Sequence, residues 1–177
     1  MSGYSEVLYV IFAMVIVSTM ALNANRVIQV NNVSMIEGQL EGQVIAYAQD
    51  IIEESRALAY DEETTYDASG NSVVPVYIPS GFSSLGPDGS ESGRTSFDDF
   101  DDFDEYTETV NINGNDYDVS VNVDYVITSN FTDYTVTGSK STLKRITVNL
   151  ESDFLNKNQA GNNTNYNFSF IRSYYAD

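Results

Sequence analysis

Residues 7–22, VLYVIFAMVIVSTMAL, contain no charged side chain, and this stretch limits what the rest of the chain can become. As a helix it rises about 24 Å, a little short of a ~30 Å hydrocarbon core. Apolar on every face, it cannot be satisfied by one side of a small core, so its partners are lipid or other copies of itself. No proline precedes Pro75, so one helix from about residue 3 to about residue 59 can reach ~85 Å. Behind the apolar start, Val33, Ile36, Leu40, Val44, Ala48, Ile51 and Leu58 recur at helical spacing. Glu37, Glu41, Gln43, Asp50, Glu53 and Glu54 fall mostly elsewhere, which makes the second half amphipathic. Gly38 and Gly42, one turn apart, permit close helix contact. The patch NANRVIQVNN, residues 23–32, lowers helix propensity and is a place for the helix to loosen.

Glu6 interrupts this pattern. A carboxylate at the edge of an apolar helix needs a cation, interfacial water or a proton. The first Lys or Arg is Arg26, too distant in sequence, but the α-amino group of a staggered neighbour can serve. The helix dipole at the N-terminus offers a simpler accommodation in interfacial water. A secretory signal peptide fits poorly, for want of a basic leading region and a small-residue cleavage site. A simple anchor has its basic residue on one flank only, behind the span.

After Tyr60 the composition changes to turn formers, with ASGN, PSG and PDGSESG marking loops. A short edge strand is predicted at Val73–Ile78 and a mobile surface loop over 79–96. Tyr117, Val119, Val121, Val123 and Tyr125 alternate with Asp118, Ser120, Asn122 and Asp124, the period of a half-buried strand. Asn113-Gly114 before it signals a hairpin. Further strands are predicted at 132–137, at 143–150 and around Tyr166, Phe168 and Phe170, with a polar loop over 156–165. The expected architecture is α+β, a long N-terminal helix with an apolar first half, followed by a small antiparallel sheet. The domain boundaries are 1–59 for the stem (1–25 apolar) and 60–177 for the head.

Within the head lies FDDFDDFDEYTET, which sets six acids within residues 98–105 and repeats phenylalanine at 97, 100 and 103. Rings three residues apart share a face of a helical or 3₁₀ turn, so they are predicted to pack on the sheet while the acids face water. The rival reading is a calcium site on Asp98, Asp99, Asp101, Asp102 and Asp104, since hard cations take six to eight oxygens. The order of an EF-hand loop and its central glycine are missing. Paired-carboxylate hydrolysis has no other support in the sequence.

Composition narrows the function. Eight Lys+Arg against 26 Asp+Glu give a formal charge of −18, a field that repels phosphate backbones, so no nucleic-acid partner is expected. The chain has neither cysteine nor histidine, which removes disulfides, thiolate zinc and imidazole acid–base chemistry. We expect no enzyme and no cofactor, calcium aside.

MSGYSEVLYVIFAMVIVSTMAL, the stem behind it, FDDFDDFDEYTETV and LKRITVNL together resemble type IV pilins and the pseudopilins of type II secretion. The resemblance implies an apolar helical core buried in a filament, with heads outside. It places assembly on Glu6, Val7, Val10, Met14, Val17, Gly38 and Gly42, with Glu6 meeting a neighbour's amino terminus. It implies self-association, an inner-membrane pool before assembly, a prepilin peptidase and assembly machinery as partners, and a final place on a bacterial cell surface. The family glutamate is the fifth residue of the mature chain. Here the acid is sixth from Met1, fifth from Ser2 and third after Gly3, and no basic leader is visible. The N-terminal residue and its methylation are therefore open. A minor pseudopilin, or a membrane-anchored module binding calcium or another ligand, are the alternatives.

Overall fold

The computed structural model describes residues 3–65, 70–71, 73–89, 91–153 and 165–176. One helix, α1, runs Gly3–Ala57, and five strands follow: β1 Thr107–Ile112, β2 Asn115–Thr128, β3 Tyr134–Val136, β4 Leu143–Glu151 and β5 Tyr166–Ser173. The protein is α+β, a long apolar N-terminal helix followed by a small antiparallel sheet. The expected helix end and the strands at 132–137, 143–150 and 166–170 fall within one to three residues of the observed elements.

By packing, the chain divides into residues Met1–Glu41 and Gly42–Asp177. The division lies inside α1 rather than at its end near residue 59, because the head claims the last four turns of the helix. Val44, Ala48, Ile51 and Ser55, spaced four, three and four apart, are the buried residues of α1. The apolar stripe predicted to begin at Val33 is thus covered only from Val44 onward; Val33 and Ile36 are exposed.

The sheet order is β1-β2-β4-β5, with β3 added to the far end of β2. β1 and β2 form the hairpin, Ile112 pairing with Asn115. Asn113 and Gly114 both have positive φ, 54° and 88°, the conformation that a two-residue type I′ turn requires. On β2, Tyr117, Val119, Val121, Val123 and Tyr125 are buried, and Asp118 and Asn122 on the other face are exposed. On β4 the buried set is Lys144, Ile146, Val148 and Leu150. Against this face the Gly42–Ala57 segment adds hydrogen bonds as well as apolar contact. Tyr117 donates to Gln43 Oε1 at 3.1 Å, and Tyr47 donates to Glu108 Oε1 on β1.

Two loop expectations are corrected. Residues 73–78 form no strand, since 73–75 are irregular and 76–78 bend into a turn; Pro75 and Pro79 remove the donors that a ladder needs. The 79–96 segment is tied to the core instead of lying loose on the surface, since Phe82 is buried and Ser83 N–H donates to Asp61 Oδ1 at 2.7 Å. Arg94 holds its far end, donating to Glu54 at 2.6 Å, Asp50 at 2.7 Å and Tyr47 Oη at 3.2 Å. The predicted loop at 156–165 lies outside the described residues except for position 165.

Candidate functional site

The first candidate surface is the N-terminal part of α1. Every described residue from Gly3 to Ile36 is exposed, including Val7, Val10, Met14 and Val17, each more than half exposed. Val10, Ala13, Met14 and Val17 line a shallow apolar groove along one side. The helix is long and apolar enough to cross a membrane. A Cβ placed on Gly38 or Gly42 would meet nothing within 4 Å, so both glycines leave bare backbone open to another helix. Glu6 is exposed, as the sequence places it.

The second candidate is the acidic run, and here the structure departs from expectation. Phe97, Phe100 and Phe103 are buried as predicted, and Phe97 meets Phe103 edge-on at 5.0 Å. The acids do not all face water: Asp99, Asp101 and Asp102 are buried with the rings. The run is threaded past the end of α1. Ala59 N–H donates to Asp98 carbonyl at 3.1 Å and Phe100 N–H donates to Ala59 carbonyl at 3.0 Å. In that turn the short acids serve as backbone acceptors. Asp102 Oδ2 receives the N–H groups of Asp98 and Asp99, both at 2.9 Å, and Asp99 Oδ1 receives those of Asp101 and Asp102. Asp104 Oδ1 receives Val123 N–H at 2.8 Å, fastening the run to β2.

Lys144 completes the arrangement. Its side chain is 0% exposed and its ammonium spends three donors on Tyr60 carbonyl at 2.9 Å, Asp61 Oδ2 at 2.6 Å and Asp101 Oδ1. The rings of Tyr60, Tyr125 and Phe82 surround the ammonium at 4.7, 5.5 and 5.8 Å, which adds cation–π attraction in a dry site. Asp61 also accepts Glu63 N–H and the Tyr125 hydroxyl. Arg172 lies nearby on β5, donating to the carbonyls of Ala59 at 2.9 Å and Ser55 at 3.4 Å. A cation there complements the negative end of the α1 dipole.

Two carboxylates, Asp61 and Asp101, thus share one lysine, and Asp99 is hydrogen-bonded to Asp101. Asp101 Oδ2 is buried without a donor when every carboxyl group is ionised. Burial first, then the charge of Asp101, pushes the Asp99 carboxyl up to about 9, so the pair holds a proton at neutral pH. A raised carboxyl pKa stabilises the fold fully below its unfolded value of about 3.9, and that contribution fades as pH climbs to the folded value. Glu62 and Glu91 are raised to about 7, burial leading and neighbouring aspartates adding, with the same sign. The melting temperature of the detergent-solubilised protein is therefore expected to fall steadily from pH 5 to pH 9. Asp99→Asn, whose amide mimics the protonated acid, removes the decline above pH 7 and makes the part below it shallower, leaving the share of Glu62 and Glu91. A flat profile for the unaltered protein defeats the shared-proton assignment.

Of the five aspartates read as calcium candidates, Asp98 and Asp102 come together, while Asp99, Asp101 and Asp104 are engaged elsewhere. Among the described residues the three carboxylates that cluster as a possible metal set are Glu91, Asp98 and Asp102, with one oxygen of each lying within 4.8 Å of the others. Asp99 and Asp101 turn to the lysine and the turn, and Asp104 turns to β2. Sequence reasoning missed Lys144, Asp61, Arg172 and Glu91. For Lys144 a signal existed: it keeps parity with Ile146, Val148 and Leu150, so the alternation that buries those residues buries the lysine too. Arg172 likewise keeps parity with Phe168 and Phe170. Asp61 and Glu91 sit in loops, where no periodicity points at them. No family model, curated protein or solved structure matches the chain.

Proposed function

We propose that this protein is the structural subunit of an extracellular, pilin-like filament, assembled through α1 and displaying an acidic head. The observation that carries the reading is the uncovered helix. More than thirty consecutive residues, uncharged and apolar through 7–22 and still rich in apolar side chains beyond, find no cover among the described residues of their own chain. Exposed apolar surface on that scale marks a membrane or protein contact. Leaving lipid for a helical core gains little hydrophobic free energy, so close packing and polar pairing must set the geometry. The bare backbone at Gly38 and Gly42 suits such packing, and Glu6 is the group that needs a cation there. On this reading the chain waits in the inner membrane, is processed by a prepilin peptidase and joined by assembly machinery, and ends at the cell surface of a bacterium. The role is structural rather than catalytic.

The test is direct. Sheared supernatant from cells producing the chain should show fibres by electron microscopy, and mass spectrometry of those fibres should return this sequence and its N-terminal residue. Full-length protein that stays monomeric in a bilayer, with no fibre recovered, ends the proposal. Abundance in the fibre separates a main subunit from a minor pseudopilin.

A second reading, an anchored head that binds a cation, draws on Glu91, Asp98 and Asp102. Sub-millimolar calcium then raises the melting temperature of the full-length protein, and Asp98→Asn abolishes the rise. An unchanged melting temperature leaves the filament reading alone.

A further inference from the structure

Between Gly3 and Ile36 the chain carries two charged side chains, Glu6 and Arg26. They have opposite signs. Both are exposed, and neither forms an ion pair among the described residues. Resting on the filament reading above, we propose that Glu6 of one copy pairs with Arg26 of a second copy offset by about 30 Å along the helix.

The distances exclude pairing within one chain. Twenty residues of helix separate the two groups, about 30 Å, far beyond the reach of any side chain. The next acid after Arg26 is Glu37, about 17 Å further along and also out of reach. Leu22 and Val30, one turn to either side of Arg26, are exposed; a copy that covers them covers the guanidinium as well. Val10, one turn after Glu6, does the same for the carboxylate. A charge buried in such a seam without a partner costs far more than the pairing returns. Among the available offsets, Arg26 against Glu37 of a second copy leaves Glu6 to a terminal amine alone, and Glu41 already has an interaction in its own chain. The Glu6–Arg26 offset neutralises both charges at once and leaves the covered segment with none. Arginine suits the role, since its planar fork can meet both oxygens of a carboxylate. The pair would then fix stagger, which an apolar seam alone leaves free to slide.

The chain has no cysteine, which makes the test clean. In the double variant E6C/R26C, a reducible bis-methanethiosulfonate cross-linker, which spans the length that the two side chains occupied, should give a ladder of covalent oligomers beyond the dimer in membranes or fibres, collapsed by reductant. Either single variant should stop at the dimer. In parallel, E6R and R26E should each lose fibre by about tenfold or more, and the swap E6R/R26E should restore it. Fibres of E6C/R26C without a ladder overturn the pairing, as does normal assembly of R26E, which would return Glu6 to the terminal amine of a neighbour. If E6C/R26C does not assemble, the swap decides, and failure of the swap to restore fibre overturns the proposal. Absence of fibre from the unaltered chain removes the filament reading itself, a result distinct from fibres that assemble without this pair.

Discussion

Lys144→Met lowers the stability of the head by about 3–5 kcal/mol, because it strands buried carboxylates rather than merely deleting a contact. Asp61 and Asp101 are 0% and 1% exposed and both give an oxygen to this ammonium. With the lysine gone, Asp101 must take a proton or stay charged in a dry site, and Tyr60 carbonyl loses a donor. Methionine fills the volume among Tyr60, Phe82 and Tyr125, so cavity formation contributes little and the loss is electrostatic. The total stability of a domain is roughly 5–15 kcal/mol, so the loss is a large fraction of it and the head is expected to melt at a markedly lower temperature in detergent. Tyrosine circular dichroism is the readout. Adding Asp101→Asn to Lys144→Met should return part of the loss, since it removes one orphaned charge. A single variant less than about 1 kcal/mol weaker than the parent would show that the network contributes nothing of the kind.

Glu6→Lys is the second large effect, and it acts on assembly without touching the head. Fibre at the cell surface is expected to drop by about tenfold or more while the chain accumulates in membranes, because a cation there meets Arg26 or a terminal amine. Glu6→Ala should cost less, since it leaves the partner cation unpaired but introduces no repulsion. Glu6 lies in the Met1–Glu41 unit and the sheet in the other, so the melting of the head should be unchanged in both variants. Normal fibre yield from both variants would remove Glu6 from the assembly surface.

The stem and the acidic run differ in how legible they were. For the stem, hydropathy alone carried the reading: a segment apolar on all faces declares its need for partners wherever it is placed. The β2 alternation from Tyr117 to Tyr125 and the Asn113-Gly114 turn were legible for a similar reason, being local preferences of strand and hairpin. The acidic run was misread because its pattern of ring and carboxylate predicts two faces, whereas its surroundings supply a third option. Asp99 and Asp102 are consumed by backbone N–H groups within four residues. Asp101 is consumed by a lysine 43 positions away. Of the metal candidates, Asp98 and Asp102 do converge, but with Glu91, from a loop that gave no periodic signal, rather than with Asp99, Asp101 and Asp104.

What the sequence determined by itself is therefore everything set by neighbours along the chain. That covers an apolar leading segment that cannot be hidden, the one carboxylate within it, the places of the strands along the chain and the tight turn between the first two. What only the tertiary structure decided is where the charges end. Whether a carboxylate faces water, accepts from its own turn or buries against Lys144 depends on which elements pack above it. The head, too, stops covering the helix at Gly42 rather than at its final turn. Burial is a property of three-dimensional proximity, and an aspartate carries the same side chain in all of these places.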